Sequence, residues 1–135
     1  MKNRGSIRSH CPISFALDIF GDKWSLIIIR DILIRRKKTY GEFLDSDEKI
    51  ATNILMNRLD QLEKQKIIRC KKDAKDGRIY SYALTQKGLD LLPILLEMVL
   101  WSWKYDPKTA TPPPFARKLI RNKNEVIKEI LKGIK

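Results

Sequence analysis

Residues 51–84 read ATNILMNRLDQLEKQKIIRCKKDAKDGRIYSYAL, and the fold turns on them. In the first half, Leu55, Leu59 and Leu62 recur three and four residues apart, which sets them on one stripe of an α-helix facing a core. The opposite side carries Asn53, Asn57, Asp60 and Lys64, with Met56 at its margin and Thr52 in the first turn. Asn and Thr side chains both donate and accept hydrogen bonds, so such a face is equipped to read base edges in a major groove. Two strands are predicted next, at 67–72 and 79–84, around the turn DAKDG at 73–77, whose Asp-Gly pair tolerates positive φ and suits a hairpin. Arg69, Lys71, Lys72, Lys75 and Arg78 cluster on this hairpin. A polar-faced helix running into a basic hairpin is the pattern of a winged helix-turn-helix, with the helix in the groove and the hairpin over the backbone.

Polar helix faces and lysine-bearing hairpins also occur on proteins that never meet nucleic acid, so this stretch decides little by itself. The chain of 135 residues adds weight: 28 Lys plus Arg stand against 16 Asp plus Glu, a formal net charge of +12. That excess favours a polyanionic partner, either nucleic acid or an anionic membrane. Membrane insertion is not expected, because apolar runs such as 26–29 and 91–100 are short or interrupted. The first ten residues are polar and basic, without the apolar stretch of a secretory signal. Together with only two cysteines this predicts a reducing cytoplasm and free thiols.

From the start, a basic arm at 1–10 carries Lys2, Arg4 and Arg8. Pro12 suits the first position of a helix with Cys11 as N-cap, and Gly21 stops that helix after Phe20. Ile13, Ala16, Leu17 and Phe20 form its apolar stripe. Asp22 can cap a second helix reaching about Ile34, apolar on nearly every side and therefore the centre of the core. The run Arg35-Arg36-Lys37-Lys38 follows, read either as a complement to the helix dipole or as phosphate contacts. Thr39 and Glu42 have capping-box spacing for a short third helix anchored by Tyr40, Phe43 and Leu44, and 45–50 turns into the polar-faced helix.

Beyond the hairpin, Thr85 can cap a long helix from 86 to about 105, with Pro93 expected to kink it. Leu89, Leu92, Leu96, Val99, Leu100 and Trp103 line one side while Leu91, Leu95 and Trp101 add apolar surface elsewhere, more than one small core needs. The surplus predicts packing against a second copy of the chain; the alternative is a core helix in a monomer. The prolines at 107 and 112–114 mark an extended linker over 106–114. A final basic amphipathic helix is then expected from 116 or 122 to 132, within a C-terminal segment at 115–135 that holds seven Lys or Arg. The expected class is α+β, mainly α: a winged helix-turn-helix domain at 11–105 with a two-stranded wing, a long dimerisation helix and a C-terminal helical extension. One histidine, His10, no cluster of metal-ligating residues and no Gly-rich phosphate loop leave no basis for catalysis, a metal or a cofactor.

Several of these residues carry a resemblance. Cys11-Pro12-Ile13, Ala16-Leu17, the run from Phe20 through Gly21, Asp22 and Lys23 to Trp24, and Arg30 resemble the opening of the HxlR-type transcriptional regulators, winged-helix proteins related to the MarR group. Ile50, Leu55, Leu59, Leu62 and Glu63 match that family's recognition-helix frame. Arg78, Tyr80, Tyr82-Ala83-Leu84-Thr85 and Gly88 match its second wing strand and helix start, and Leu92-Pro93 with Trp101 its long helix. The chain departs where the family commonly has Gly, at Lys49, and Ser, at Ala51. Its acidic turn, with Asp45, Asp47 and Glu48, would repel phosphate if it came near DNA.

The resemblance implies a homodimer that pairs through the first and long helices, with Ile13, Leu17, Leu96, Leu100 and Trp101 at the contact, and that sets two reading helices on a near-palindromic operator. Thr52, Asn53, Met56 and Asn57 would read bases, with Arg58 joining them or reaching a phosphate. Arg36, Lys38, Lys71, Lys72, Lys75 and Arg78 would bind phosphates. Several members of the family sense oxidants or electrophiles through the cysteine corresponding to Cys11, and an N-cap position favours the thiolate. A small cap with no regulatory role is the alternative, and Cys70 is read as structural. A winged helix that contacts only protein or RNA is the other reading of the whole chain. No small effector is legible.

Overall fold

The computed structural model describes residues 9–106 and 108–134, so Lys2, Arg4 and Arg8 of the basic arm lie outside the described residues. The element order is α1 (Pro12–Phe20), α2 (Ser25–Leu33), α3 (Tyr40–Leu44), α4 (Thr52–Lys64), β1 (Ile68–Lys72), β2 (Tyr80–Leu84), α5 (Gln86–Leu89), α6 (Leu92–Tyr105), α7 (Pro113–Arg121) and α8 (Lys123–Lys132). Two compact units result, Met1–Gly88 and Leu89–Lys135. The long helix predicted from 86 is two helices, α5 and α6. Pro93 does not kink an existing helix; it occupies the first turn of α6, where its missing N–H would have had no partner anyway.

In the first unit α2 is the core, as its composition predicts: Ile28, Ile29 and Leu33 are fully or almost fully buried, joined by Phe43, Ile50, Leu55, Leu59, Leu62, Ile67, Ile68 and Leu84. Asp22 caps α2 from three residues upstream, its Oδ2 accepting from the N–H groups of Trp24 and Ser25, both at 2.9 Å. The capping box forms: Thr39 Oγ1 accepts from the Glu42 amide at 3.3 Å, and Glu42 Oε1 accepts from the Thr39 amide at 3.0 Å.

The wing is an antiparallel pair in the register Ile68 to Leu84 through Lys72 to Tyr80. Its turn differs from expectation, since Gly77 does not adopt positive φ. Asp side chains build the loop instead: Asp73 Oδ2 accepts from the Asp76 amide at 3.3 Å, and Asp76 Oδ1 accepts from the Arg78 amide at 3.0 Å. A third rung, which the sequence pattern missed, joins Thr39 to Ser81, and the Tyr82 amide donates to the Lys38 carbonyl at 2.7 Å. Two residues are too few to show the alternation by which strands are recognised.

In the second unit Leu92, Leu95 and Leu96 of α6, Ala116 and Leu119 of α7 and Val126 of α8 are buried. The extended linker is shorter than predicted, because Pro113 and Pro114 form the first turn of α7. The single final helix is also two, divided at Asn122, whose side-chain oxygen caps α8 by accepting from the Glu125 amide at 3.2 Å. Lys118 pairs with Glu129 at 2.7 Å and Lys123 with Glu97, tying α8 to α7 and α6. Among the described residues no helix is long and apolar enough to cross a membrane.

Candidate nucleic-acid interface

Helix α4 is held from beneath and open above. Leu55, Leu59 and Leu62 are buried, whereas Thr52, Asn53, Met56 and Asn57 are exposed on the opposite side, Met56 by 56%. The turn into α4 explains both departures from the resemblance. Lys49 adopts φ 56°, the left-handed region that glycine enters without steric cost. Ala51 is the N-cap and has no side chain to accept the free amides of the first turn, and Thr52 is already helical. Ala51→Ser is therefore expected to stabilise the fold by about 1 kcal/mol, read as a higher urea midpoint at unchanged slope.

The acidic turn before α4 is neutralised from α2. Arg30 grips Glu48 in a fork, Nη1 to Oε2 at 2.7 Å and Nη2 to Oε1 at 3.0 Å, and the other side of the same guanidinium holds Asp31 at 2.7 Å. These bonds hold the Glu48 carboxyl down at about 2 and keep Arg30 above its ordinary range. Arg35 approaches Asp47 at 3.6 Å, and Lys37 Nζ donates to the Asp45 carbonyl at 3.2 Å. The expected repulsion of phosphate is thus offset at its source.

Arg36 leaves α2 in the left-handed region, φ 58°, and is exposed. Lys38, also exposed, sits on the segment bonded to β2, so the extra rung fixes it at the edge of the wing. Lys71, Lys72 and Lys75 are exposed with no acidic side chain paired to them among the described residues. Arg78 is exposed but held by Asp76, Nε to Oδ1 and Nη2 to Oδ2 at 3.1 Å each. Between α3, α4 and the wing lies an open groove of about 610 Å³ whose lining includes Tyr40, Met56, Cys70, Arg78, Ile79 and Tyr82. There burial and the adjacent Cys70 thiol push the Tyr82 hydroxyl up to about 12.

Arg58 does not project with the other candidates. Its Nη1 meets Asp22 Oδ1 at 3.2 Å, while Nε and Nη2 donate to Asn57 Oδ1 at 3.1 and 2.7 Å. Burial would raise the Asp22 carboxyl pKa, but the Ser25 hydroxyl, the Trp24 and Ser25 amides and Arg58 outweigh it and leave it low. The sequence offered no sign of this pair, since Asp22 lies in the turn before α2 and Arg58 in α4, far apart in the chain.

Cys11 is the N-cap of α1, exposed and unpaired with Cys70, itself half-buried. The Ser14 and Ile13 amides face its sulfur and lower the thiol pKa, although neither completes a well-formed hydrogen bond. Helix α1 buries none of its side chains; Ile13, Phe15 and Leu17 are exposed. On α6 the exposed stripe is Ile94, Met98, Trp101 and Tyr105, at helical spacing. Leu96 is a correction: it is fully buried within its own chain and has no surface left for a second copy, while Leu100 is half-buried.

Helices α2 to α4 followed at once by a two-stranded wing define a winged helix-turn-helix protein of the transcription-regulator class. The sequence profile of HxlR-like helix-turn-helix proteins matches residues 19–110. The HTH-type transcriptional regulator YdeP of Bacillus subtilis (strain 168), itself uncharacterized, is 35% identical over 95 residues, 70% of this chain and 73% of YdeP. Among solved structures, PA1607 superposes with a TM-score of 0.68 at 31% identity over 78% of this chain and 72% of that one. The redox regulator HypR in its oxidized form does so with a TM-score of 0.62 at 32% identity over 70% of this chain and 96% of HypR. The chain belongs to the HxlR-like helix-turn-helix family, whose members are DNA-binding transcription regulators and not enzymes.

Proposed function

We propose that this chain is a sequence-specific regulator that binds a near-palindromic operator as a homodimer in the cytoplasm. The observation that carries the reading is the open face of α4, where Thr52, Asn53, Met56 and Asn57 stand clear of the core while leucines anchor the opposite side. Set in a major groove, that face meets base edges; Arg36, Lys38, Lys71, Lys72, Lys75 and Arg78 meet phosphates. Dimerisation covers the exposed apolar residues of α1 and α6: Ile13, Phe15 and Leu17 on one helix, Ile94, Met98, Trp101 and Tyr105 on the other, with Leu100 at the margin.

Redox control rests on Cys11. Its exposure and lowered pKa favour the reactive thiolate, and HypR, a structural neighbour, is a redox regulator. Because Cys11 begins α1, a mixed disulfide or one between two copies would alter a dimer element and with it the spacing of the two α4 helices.

The test is fluorescence anisotropy with duplex from upstream of its own gene against random duplex, at physiological salt, first reduced and then oxidised. Tight binding to one segment that changes on oxidation, and no longer changes in Cys11→Ser, supports the whole reading. Specific binding indifferent to oxidation removes the thiol switch alone. Equal weak binding to every duplex refutes operator recognition and returns the protein-contact or RNA-binding reading.

A further inference from the structure

An unmodified asparagine in a major groove reads adenine with both halves of its amide. Nδ2–H donates to N7 while Oδ1 accepts from the N6 amino group. Asn57 cannot do this as it stands. Its Oδ1 already accepts two N–H groups from Arg58, at 3.1 and 2.7 Å, which use both lone pairs of that oxygen. A guanidinium carries only donors, so the amide orientation is forced: the oxygen faces Arg58 and the Nδ2 hydrogens are what remains to face outward. Among the described residues none accepts from Nδ2, and Asn57 is exposed.

Arg58 is itself fixed from behind. The nitrogen not engaged with Asn57, Nη1, lies 3.2 Å from Asp22 Oδ1, and Arg58 is about three-quarters covered. Asp22 in turn is immobilised at the start of α2 by the Trp24 and Ser25 amides, each at 2.9 Å, and by the Ser25 hydroxyl. A chain of charge-assisted bonds therefore runs from the first turn of α2 through Asp22 and Arg58 to the amide of Asn57.

Resting on the reading of α4 as the base-reading helix, we propose that Arg58 is a positioning residue that makes Asn57 a donor-only reader, selecting a keto base, guanine or thymine, where a free asparagine would select adenine. Guanine O6 and N7 and thymine O4 are major-groove acceptors and match the outward Nδ2. Cytosine presents only an amino group there, and adenine sets its amino group beside N7, so one outward hydrogen finds an acceptor and the other meets a donor. Arg58 supplies orientation without touching DNA.

The experiment selects bound duplexes from a random-sequence library with the wild-type chain, Arg58→Met and Asn57→Ala, then measures anisotropy on the selected duplex carrying each base in turn. Methionine keeps the apolar stem and removes every donor. Wild type is expected to prefer guanine or thymine at one position per half-site. In Arg58→Met that position alone changes to adenine, with a change of about tenfold in the ratio of the two affinities. In Asn57→Ala the same position loses preference. An Arg58→Met chain that keeps the wild-type consensus and binds every duplex more weakly would make Arg58 a phosphate contact and overturn the proposal. So would an Asn57→Ala chain with undiminished preference at that position, which also covers the case of an Arg58 variant that fails to fold. A wild type that selects no consensus refutes operator recognition itself, an outcome distinct from a consensus that Arg58→Met leaves unchanged.

Discussion

Arg30→Met is expected to lower stability by about 2–3 kcal/mol, seen as a fall in the urea midpoint, because it leaves Asp31 buried without its closest cation. Asp31 has 2% of its side chain exposed, and Arg30 covers it at 2.7 Å; Lys37 at 3.8 Å and Arg35 at 4.0 Å are too distant to replace that contact. Breaking a buried pair in this way typically costs 3–5 kcal/mol, reduced here because two cations remain nearby. Arg30→Met/Asp31→Asn should recover part of the loss by removing the stranded charge. The same substitution alters the pH profile. Glu48 titrates at about 2 in the folded chain against an ordinary 4.5, so its contribution is complete above pH 4.5 and is lost as pH falls toward 2. Wild-type stability should decline across that window, and Arg30→Met, starting lower, should decline less steeply there. A variant as stable as wild type, with an unchanged acid limb, would mean that the cluster braces nothing.

Gly88→Ala should cost about 3 kcal/mol, near the upper end of what overpacking usually costs, and the reason is backbone and not side chain. Gly88 is buried in α5, and a Cβ there would overlap the carbonyl oxygen of Ile67 and come within 2.7 Å of Leu84 Cδ2. Neither can move freely. The Ile67 carbonyl accepts from the Thr85 amide at 3.0 Å, and the Thr85 hydroxyl both donates to the Lys66 carbonyl at 2.5 Å and accepts from the Gly88 amide at 3.2 Å. Relief by displacement would open the join between β1, β2 and α5. Chemical denaturation of the variant, with Gly41→Ala as the control at a glycine whose Cβ meets nothing within 4 Å, separates this clash from any general effect of losing glycine.

Local patterns were legible wherever one residue type has one structural consequence. Pro12, Gly21, the Thr39–Glu42 box and the leucine stripe of α4 all stand where their chemistry places them. What the sequence hid depends on partners far apart in the chain. Nothing in its spacing tells that Arg30 neutralises Glu48, that Asp22 reaches Arg58, or that Lys38 is stitched to Tyr82. Proline was misread twice for one reason: Pro93, Pro113 and Pro114 stop a preceding helix and equally begin the next, and only the backbone decides which. In α6, apolar residues occur on nearly every side, so periodicity could not separate buried Leu96 from the exposed stripe that ends in Trp101 and Tyr105.

Whether the open face of α4 reads sequence while the surrounding cations only hold the backbone is decided by the ratio of affinities for selected and random duplex in Asn53→Ala/Asn57→Ala. The ratio is expected to collapse toward unity while random-duplex affinity and its salt dependence stay as in wild type. A ratio left intact, or a uniform loss on both duplexes, would contradict it.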